Sequence, residues 1–179
     1  MSSLDTGSTE TLRERPASRL LVIDGDHRLL LFRFAFRAGA LAGEVYWATP
    51  GGGVEPGESF EEAAIRELRE ETVLACPETA PMLGERSFTM RMPDGEWVRA
   101  RERFFAVRAE TDPLSRNGWT PHEIEVLAEH RWWSRTELVA PGAQIYPEDI
   151  VAFYDAAREA LDAPSEGPAM SRGTGDGCR

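Results

Sequence analysis

The sequence predicts an α+β or α/β/α sandwich, a mixed sheet with helices packed on it. Three observations predict it. Short apolar runs bounded by turn residues recur along the chain, two longer stretches carry the apolar period of amphipathic helices, and the two kinds are mixed along the sequence. The 179 residues, 41% hydrophobic and 28% charged, suit one globular domain. A domain of ~150 residues buries roughly 68–70% of its unfolded surface, enough to fold without a disulfide or a metal staple.

The elements follow in order. Residues 1–15 hold Ser, Thr and Glu with little to bury and read as a disordered arm, and the folded domain is expected over 16–162. Residues 18–24 are an apolar strand, Gly25-Asp26 a turn and 28–34 the returning strand. Val45-Tyr46-Trp47 begins a short strand that runs into Pro50-Gly51-Gly52-Gly53. Ser59 with Glu62 three residues later is a capping box that opens a helix to Thr72. Residues 83–92 and 96–109 flank Pro93-Asp94-Gly95 as a hairpin. Residues 111–122 read as a loop, 127–133 as a strand, Thr136-Glu137-Leu138 as a short helix and 147–161 as a final amphipathic helix. In 163–179, nine of 17 residues are Gly, Pro, Ser or Thr, which reads as a flexible tail.

Composition excludes several classes. The net charge of −11, from 31 acidic and 20 basic residues, disfavours nucleic acid and anionic membranes as partners. All 20 basic residues are Arg, so Schiff-base and P-loop lysine chemistry is excluded. No run of 18 apolar residues and no secretory signal is present. Only Cys76 and Cys178 occur, so a disulfide framework is not expected and a cytoplasmic location is.

The chemistry concentrates in residues 51–74. On a helical wheel, Phe60, Ala64, Ile65, Leu68 and Thr72 share a core-facing arc, while Glu67, Glu70 and Glu71 share the adjoining one beside the small Ala63. Two like charges ~6 Å apart at an effective dielectric of ~20 repel by roughly 3 kcal/mol. Such an oxygen-rich face suits Mg²⁺ or Mn²⁺; a solvated acidic helix face is the plainer alternative.

The stretch resembles a Nudix box, whose pattern is G-x5-E-x7-R-E-U-x-E-E-x-G-U with U a bulky apolar residue. Gly52, Glu58, Arg66, Glu67, Leu68, Glu70, Glu71 and Leu74 occupy eight of the nine fixed positions. Val73 stands where the pattern has Gly, so the helix end is expected to depart from the family's left-handed stop. The resemblance implies an α/β/α sandwich with a mixed sheet. It implies that Glu67, Glu70 and Glu71 bind Mg²⁺ or Mn²⁺ with the backbone carbonyl of Gly51, that Arg66 orients the glutamates, and that Glu58 supports the site. It also implies attack of a metal-activated water on a diphosphate bridge.

Outside the box, the family's base is often a loop Glu, and Glu123 or Glu125 is favoured over Glu129. Period-two alternation puts Glu102 among small apolar residues, a buried-ion or site candidate, and puts Arg101 and Arg103 on the opposite face, as a phosphate-binding row or a solvent face. Trp119 is a lid or a hydrophobic plug. Of Trp132 and Trp133, one is expected inside and one outside. His27, His122 and His130 show no metal-ligand spacing.

The expected activity is therefore a Mg²⁺-dependent pyrophosphohydrolase. Its small-molecule partner would be a nucleoside diphosphate linked to another moiety, such as a nucleoside triphosphate or ADP-ribose, and a homodimer is compatible with the sequence. A Nudix-fold regulatory module that binds nucleotide without cleaving it is the alternative; such modules usually lose box glutamates, and this chain keeps them. A diphosphate isomerase on the same fold needs a site cysteine, for which Cys76 is a poor fit.

Overall fold

A computed structural model describes residues 11–71, 81–109, 127–140 and 142–163, with Leu127 and Ala128 described by backbone alone. Along the described chain run β1 (Arg13–Ile23), β2 (Leu29–Ala35), a 3₁₀ turn (Gly39–Leu41), β3 (Val45–Ala48), α1 (Phe60–Glu71), β4 (Met82–Arg91), β5 (Trp97–Arg108), β6 (Leu127–Trp133), α2 (Arg135–Leu138), β7 (Ile145–Tyr146) and α3 (Ile150–Asp162).

The strands form one mixed sheet in the order β4-β5-β1-β2-β3-β7. β1 runs parallel to β5, and β3 parallel to β7; the other pairings are antiparallel. β2 meets β1 only at Ile23–Leu29, pairs with β3 over Phe32–Ala35, and takes β6 as a further neighbour. The sheet therefore splits at β2 and curls.

Helices cover both faces. Leu20, Val22, Leu30, Phe32, Phe105 and Val107 pack on Ala64 and Leu68 of α1. Leu21, Ile23, Leu29, Leu31, Phe104 and Ala106 pack on Ile150, Tyr154 and Ala157 of α3. Burial on both faces explains the unbroken apolar runs LLVI and LLLF, which do not alternate because neither face meets water.

Four expectations need correction. β1 starts at Arg13, inside the stretch read as a disordered arm, because Arg13, Glu14 and Arg15 pair with Val98, Arg99 and Ala100 of β5. Arg13 also holds Glu96 through two hydrogen bonds of 2.9 and 2.6 Å. β7 was not expected, since a two-residue strand carries no periodic signal. The final helix starts at Ile150, three residues later than expected. Trp132 is not the outward partner of Trp133: it packs against the α1-side core, and Trp133 is buried on the α3 side.

Beyond Gly25 the two strands separate, and a different segment takes β2's place beside β1. Ser18 donates to the Gly52 carbonyl and Leu20 to Pro50, both at 2.9 Å, and Val54 donates to Pro16 at 3.0 Å. The glycine segment is thus bonded to the sheet and delivered to the flank of α1.

Candidate active site

The start of α1 is fixed by reciprocal bonds. The Ser59 amide donates to the Glu62 carboxylate at 2.8 Å, and the Glu62 amide to the Ser59 hydroxyl at 3.1 Å. That register turns Glu67 and Glu71 inward, 5% and 4% exposed, and leaves the Glu70 side chain 45% exposed. Arg66 lies between the acids. Its guanidinium donates to Glu58 (3.0 and 3.1 Å), Glu67 (2.8 Å), Glu70 (3.2 Å) and the carbonyl of Gly53 (2.8 Å). The Arg66 hydrogen bonds hold the Glu58 carboxyl below the usual carboxylate range, and those to Glu58 raise Arg66 in turn. The crowding expected among the helix acids is thus offset at Glu67 and Glu70 by Arg66, and at Glu71 by the Gly51 amide, which donates to it at 2.8 Å.

The glycines permit this approach. Gly51 has φ +122°, and a Cβ there would overlap the Ser18 carbonyl. A Cβ on Gly52 would lie 2.6 Å from the Glu67 carboxyl carbon. Only residues without side chains bring this backbone onto the acids of α1.

Gly51 also joins α1 to a cavity of about 440 Å³ on the other face of the sheet. Arg19, on the cavity wall, donates to the Gly51 carbonyl at 3.2 Å. It also grips Glu102 at 2.7 Å, and Arg86 holds the second Glu102 oxygen at 2.9 Å. Glu102 is 2% exposed. Burial opposes its ionisation, but the charges of Arg19 and Arg86 outweigh that and hold its carboxyl below the usual value. Tyr46, Phe88 and Tyr146 supply aromatic walls, with Tyr46 edge-on to Tyr146 at 5.3 Å and the Arg86 guanidinium 4.3 Å from the Phe88 ring centre.

A NUDIX domain model matches residues 13–153. The chain belongs to the Nudix hydrolase family. It is 50% identical over 135 residues to a nucleoside triphosphatase NudI of Escherichia coli O17:K52:H18, covering 74% of this chain and 82% of that protein. To the NudI of Escherichia coli K12 (DH10B) it is 50% identical over 50 residues, 28% of this chain and about a third (34%) of that protein's length. The crystal structure of a MutT protein from Methanosarcina mazei Go1 superposes with a TM-score of 0.57 at 22% identity, over 87% of this chain and all of that one, and shows the same fold.

Within this Nudix domain, Glu58, Arg66, Glu67, Glu70, Glu71 and Gly51 come together as one connected group. Among the described residues no three carboxylate, imidazole or thiol side chains already converge as a metal cage. Arg66 accounts for this on α1, since its guanidinium is the common partner of Glu58, Glu67 and Glu70. Glu102 lines the cavity. Arg101 and Arg103 do not: both pair with Glu85 at 2.7–3.1 Å and lie over the Phe60 ring on the α1 face. Their pairing pulls the Glu85 carboxyl down to about 2. The parity of β5 separates them from Glu102 and leaves them as an ion-paired row on the other face of the strand. Glu129 is exposed on β6 opposite Arg33. Glu123, Glu125, Trp119, His122, Val73 and Cys76 lie outside the described residues.

Sequence reasoning missed Arg19, Arg86, Tyr46, Phe88 and Tyr146. One signal was available for Arg19: it is the sole charge inside the apolar run from Ala17 to Ile23, where burial demands a partner.

Proposed function

We propose that this chain hydrolyses a phosphoric anhydride of a nucleoside triphosphate, with the nucleoside in the aromatic cavity and the phosphates directed to the glycine segment beside α1. The carrying observation is Gly51, whose amide is bonded to Glu71 of α1 and whose carbonyl is bonded to Arg19 of the cavity wall. One residue thus ties the acids to the pocket. The 50% identical relative named as a nucleoside triphosphatase supports that substrate class over other nucleoside diphosphate derivatives.

Enzymes of this family use divalent metals. The donor set fits a hard cation, Mg²⁺ or Mn²⁺: Glu67, Glu70 and Glu71 offer carboxylate oxygens and Gly51 a carbonyl, with no nitrogen or sulfur among them. Gly52, lacking a Cβ, keeps the space beside Glu67 open. Such an ion supplies Lewis acidity and lowers the pKa of a water. The protein's own groups do the rest. Arg66 sets the rotamers of Glu67 and Glu70 and is anchored by Glu58 and the Gly53 carbonyl. Arg19, fixed by Glu102, orients the Gly51 peptide. A Glu on the segment before β6, Glu123 or Glu125, takes the proton of the attacking water. The folded unit is proposed to run from Arg13 to Asp162, in a cytoplasmic setting. No helix among the described residues is long and apolar enough to cross a membrane.

The test is phosphate and pyrophosphate release from a panel of nucleoside triphosphates with and without Mg²⁺. Turnover should require the ion, and Glu70→Gln or Glu71→Gln should lower kcat by about a hundredfold or more with the fold retained. Full activity of either variant with an unaltered Mg²⁺ response would remove the assignment.

A further inference from the structure

Arg15 of β1 is an arginine whose guanidinium the mechanism above leaves unused. It lies on the same face of β1 as Arg19 and opposite Ala100 of β5. Ala17 and Ala100 are fully buried, and their small side chains leave room for a long one above them. The Arg15 Nη2 is 3.9 Å from the place a Cβ on Gly53 would occupy, so the group stands against the glycine segment. Its Nη1 is buried and has no hydrogen-bond partner among the described residues.

The neighbouring arginines are different. Arg19 and Arg86 share Glu102, and Arg66 has Glu58, Glu67 and Glu70. A buried donor without a partner is costly, and more so when it carries charge. Burial and then the charge of Arg19 depress Arg15, while Glu102 of the cavity and Glu67 of α1 act on it in the opposite sense. Arg15 therefore feels both the cavity floor and the catalytic helix.

Glu102 is a single carboxylate shared by Arg19 and Arg86, and Arg15 adds a further cation on that face of β1.

We propose that Arg15 is a phosphate-binding residue that receives the phosphate chain of the nucleotide between Arg19 and Gly53. The inference rests on the reading of the site given above and assigns it a second cation. Binding supplies the hydrogen bonds that Nη1 lacks, and it places the anhydride against Gly51 and Glu67.

The test uses Arg15→Met, which keeps the aliphatic stem over Ala17 and Ala100, alongside Arg15→Lys. Metal-free protein is titrated calorimetrically with inorganic pyrophosphate, with a nucleoside triphosphate that the wild type hydrolyses, and with the matching nucleoside. Arg15→Met should bind both phosphate compounds about tenfold more weakly and the nucleoside unchanged. Arg15→Lys should recover part of the loss. KM should rise more than kcat falls, and Tm should stay level or rise, since an unpaired buried charge has been removed. Unchanged phosphate affinity in Arg15→Met overturns the inference, as does a fall in Tm with affinity intact. If the wild type itself neither binds nor hydrolyses any nucleotide, the reading of the site fails and this inference fails with it. If wild-type turnover stands while Arg15→Met matches it, only this inference fails.

Discussion

Two adjacent glycines separate folding from chemistry. Gly51 has a positive φ and its Cβ position overlaps backbone, the carbonyl of Ser18 within β1, which cannot move without disturbing that strand's pairing with β5 and with the glycine segment. Gly51→Ala should cost about 1–3 kcal/mol in backbone strain alone, seen as a large fall in Tm. At Gly52 the overlapping group is the carboxylate of Glu67, which can rotate away. Gly52→Ala should keep Tm within a few degrees yet lose most of kcat, and equal losses of Tm in the two variants would contradict this division. Glu102 yields a prediction of the opposite kind. Its carboxyl lies below the ordinary value of 4.5 in the folded protein, so its stabilisation is present above that value and is lost as pH falls through the lower folded one. Removing one partner of a buried ion group costs about 3–5 kcal/mol, so Glu102→Gln should melt well below wild type at pH 7. The gap should narrow as the pH is lowered through 4.5 and below, because protonation then costs the wild type the same interaction.

At the scale of elements, α1 was legible because its signals are local. The capping pair Ser59 and Glu62, the apolar arc and the acid arc all lie within one short segment. The capping pair forms as the spacing put it, and Phe60, Ala64 and Leu68 pack on the core, while Ile65 is only half-buried and Thr72 lies outside the described residues. Ser59→Ala removes the hydroxyl acceptor and should cost about 1 kcal/mol, or about 2–4 °C in Tm for a domain of this size. Arg66→Lys should damage activity more than stability, since an ammonium cannot reach Glu58, Glu67, Glu70 and the Gly53 carbonyl at once; a kcat within threefold of wild type would show that the fork is dispensable. The cavity was not legible, because its walls come from β1, β3, β4, β5 and the end of β7, and nothing in the spacing of Arg19, Tyr46, Arg86 and Tyr146 announces that they meet. The arginine row of β5 was visible as a pattern, but Glu85, which pairs with Arg101 and Arg103, lies on another strand.

For the molecule as a whole, the pairing that matters most is β1 with β5, parallel from Arg13 to Ile23 and far apart in sequence. It made the beginning of the domain hard to read, since Arg13, Glu14 and Arg15 look like surface residues until β5 is beside them. A chain beginning at Arg13 should match the full-length protein in Tm. One beginning at Ala17 loses that pairing and the Arg13–Glu96 pair, and should melt more than about 4 °C lower. Equal melting temperatures would return the first strand to the arm.

The bonding of residues 50–54 to β1 has a kinetic consequence. The amides of Ser18, Leu20 and Val54 are closed by carbonyls across that seam, and the Gly51 amide by Glu71. Hydrogen exchange at these four amides should be governed by the same opening event, with protection near that of the central strands rather than of a surface turn. A substrate then meets a floor that is already set, and the speed of each encounter depends on segments other than the glycines.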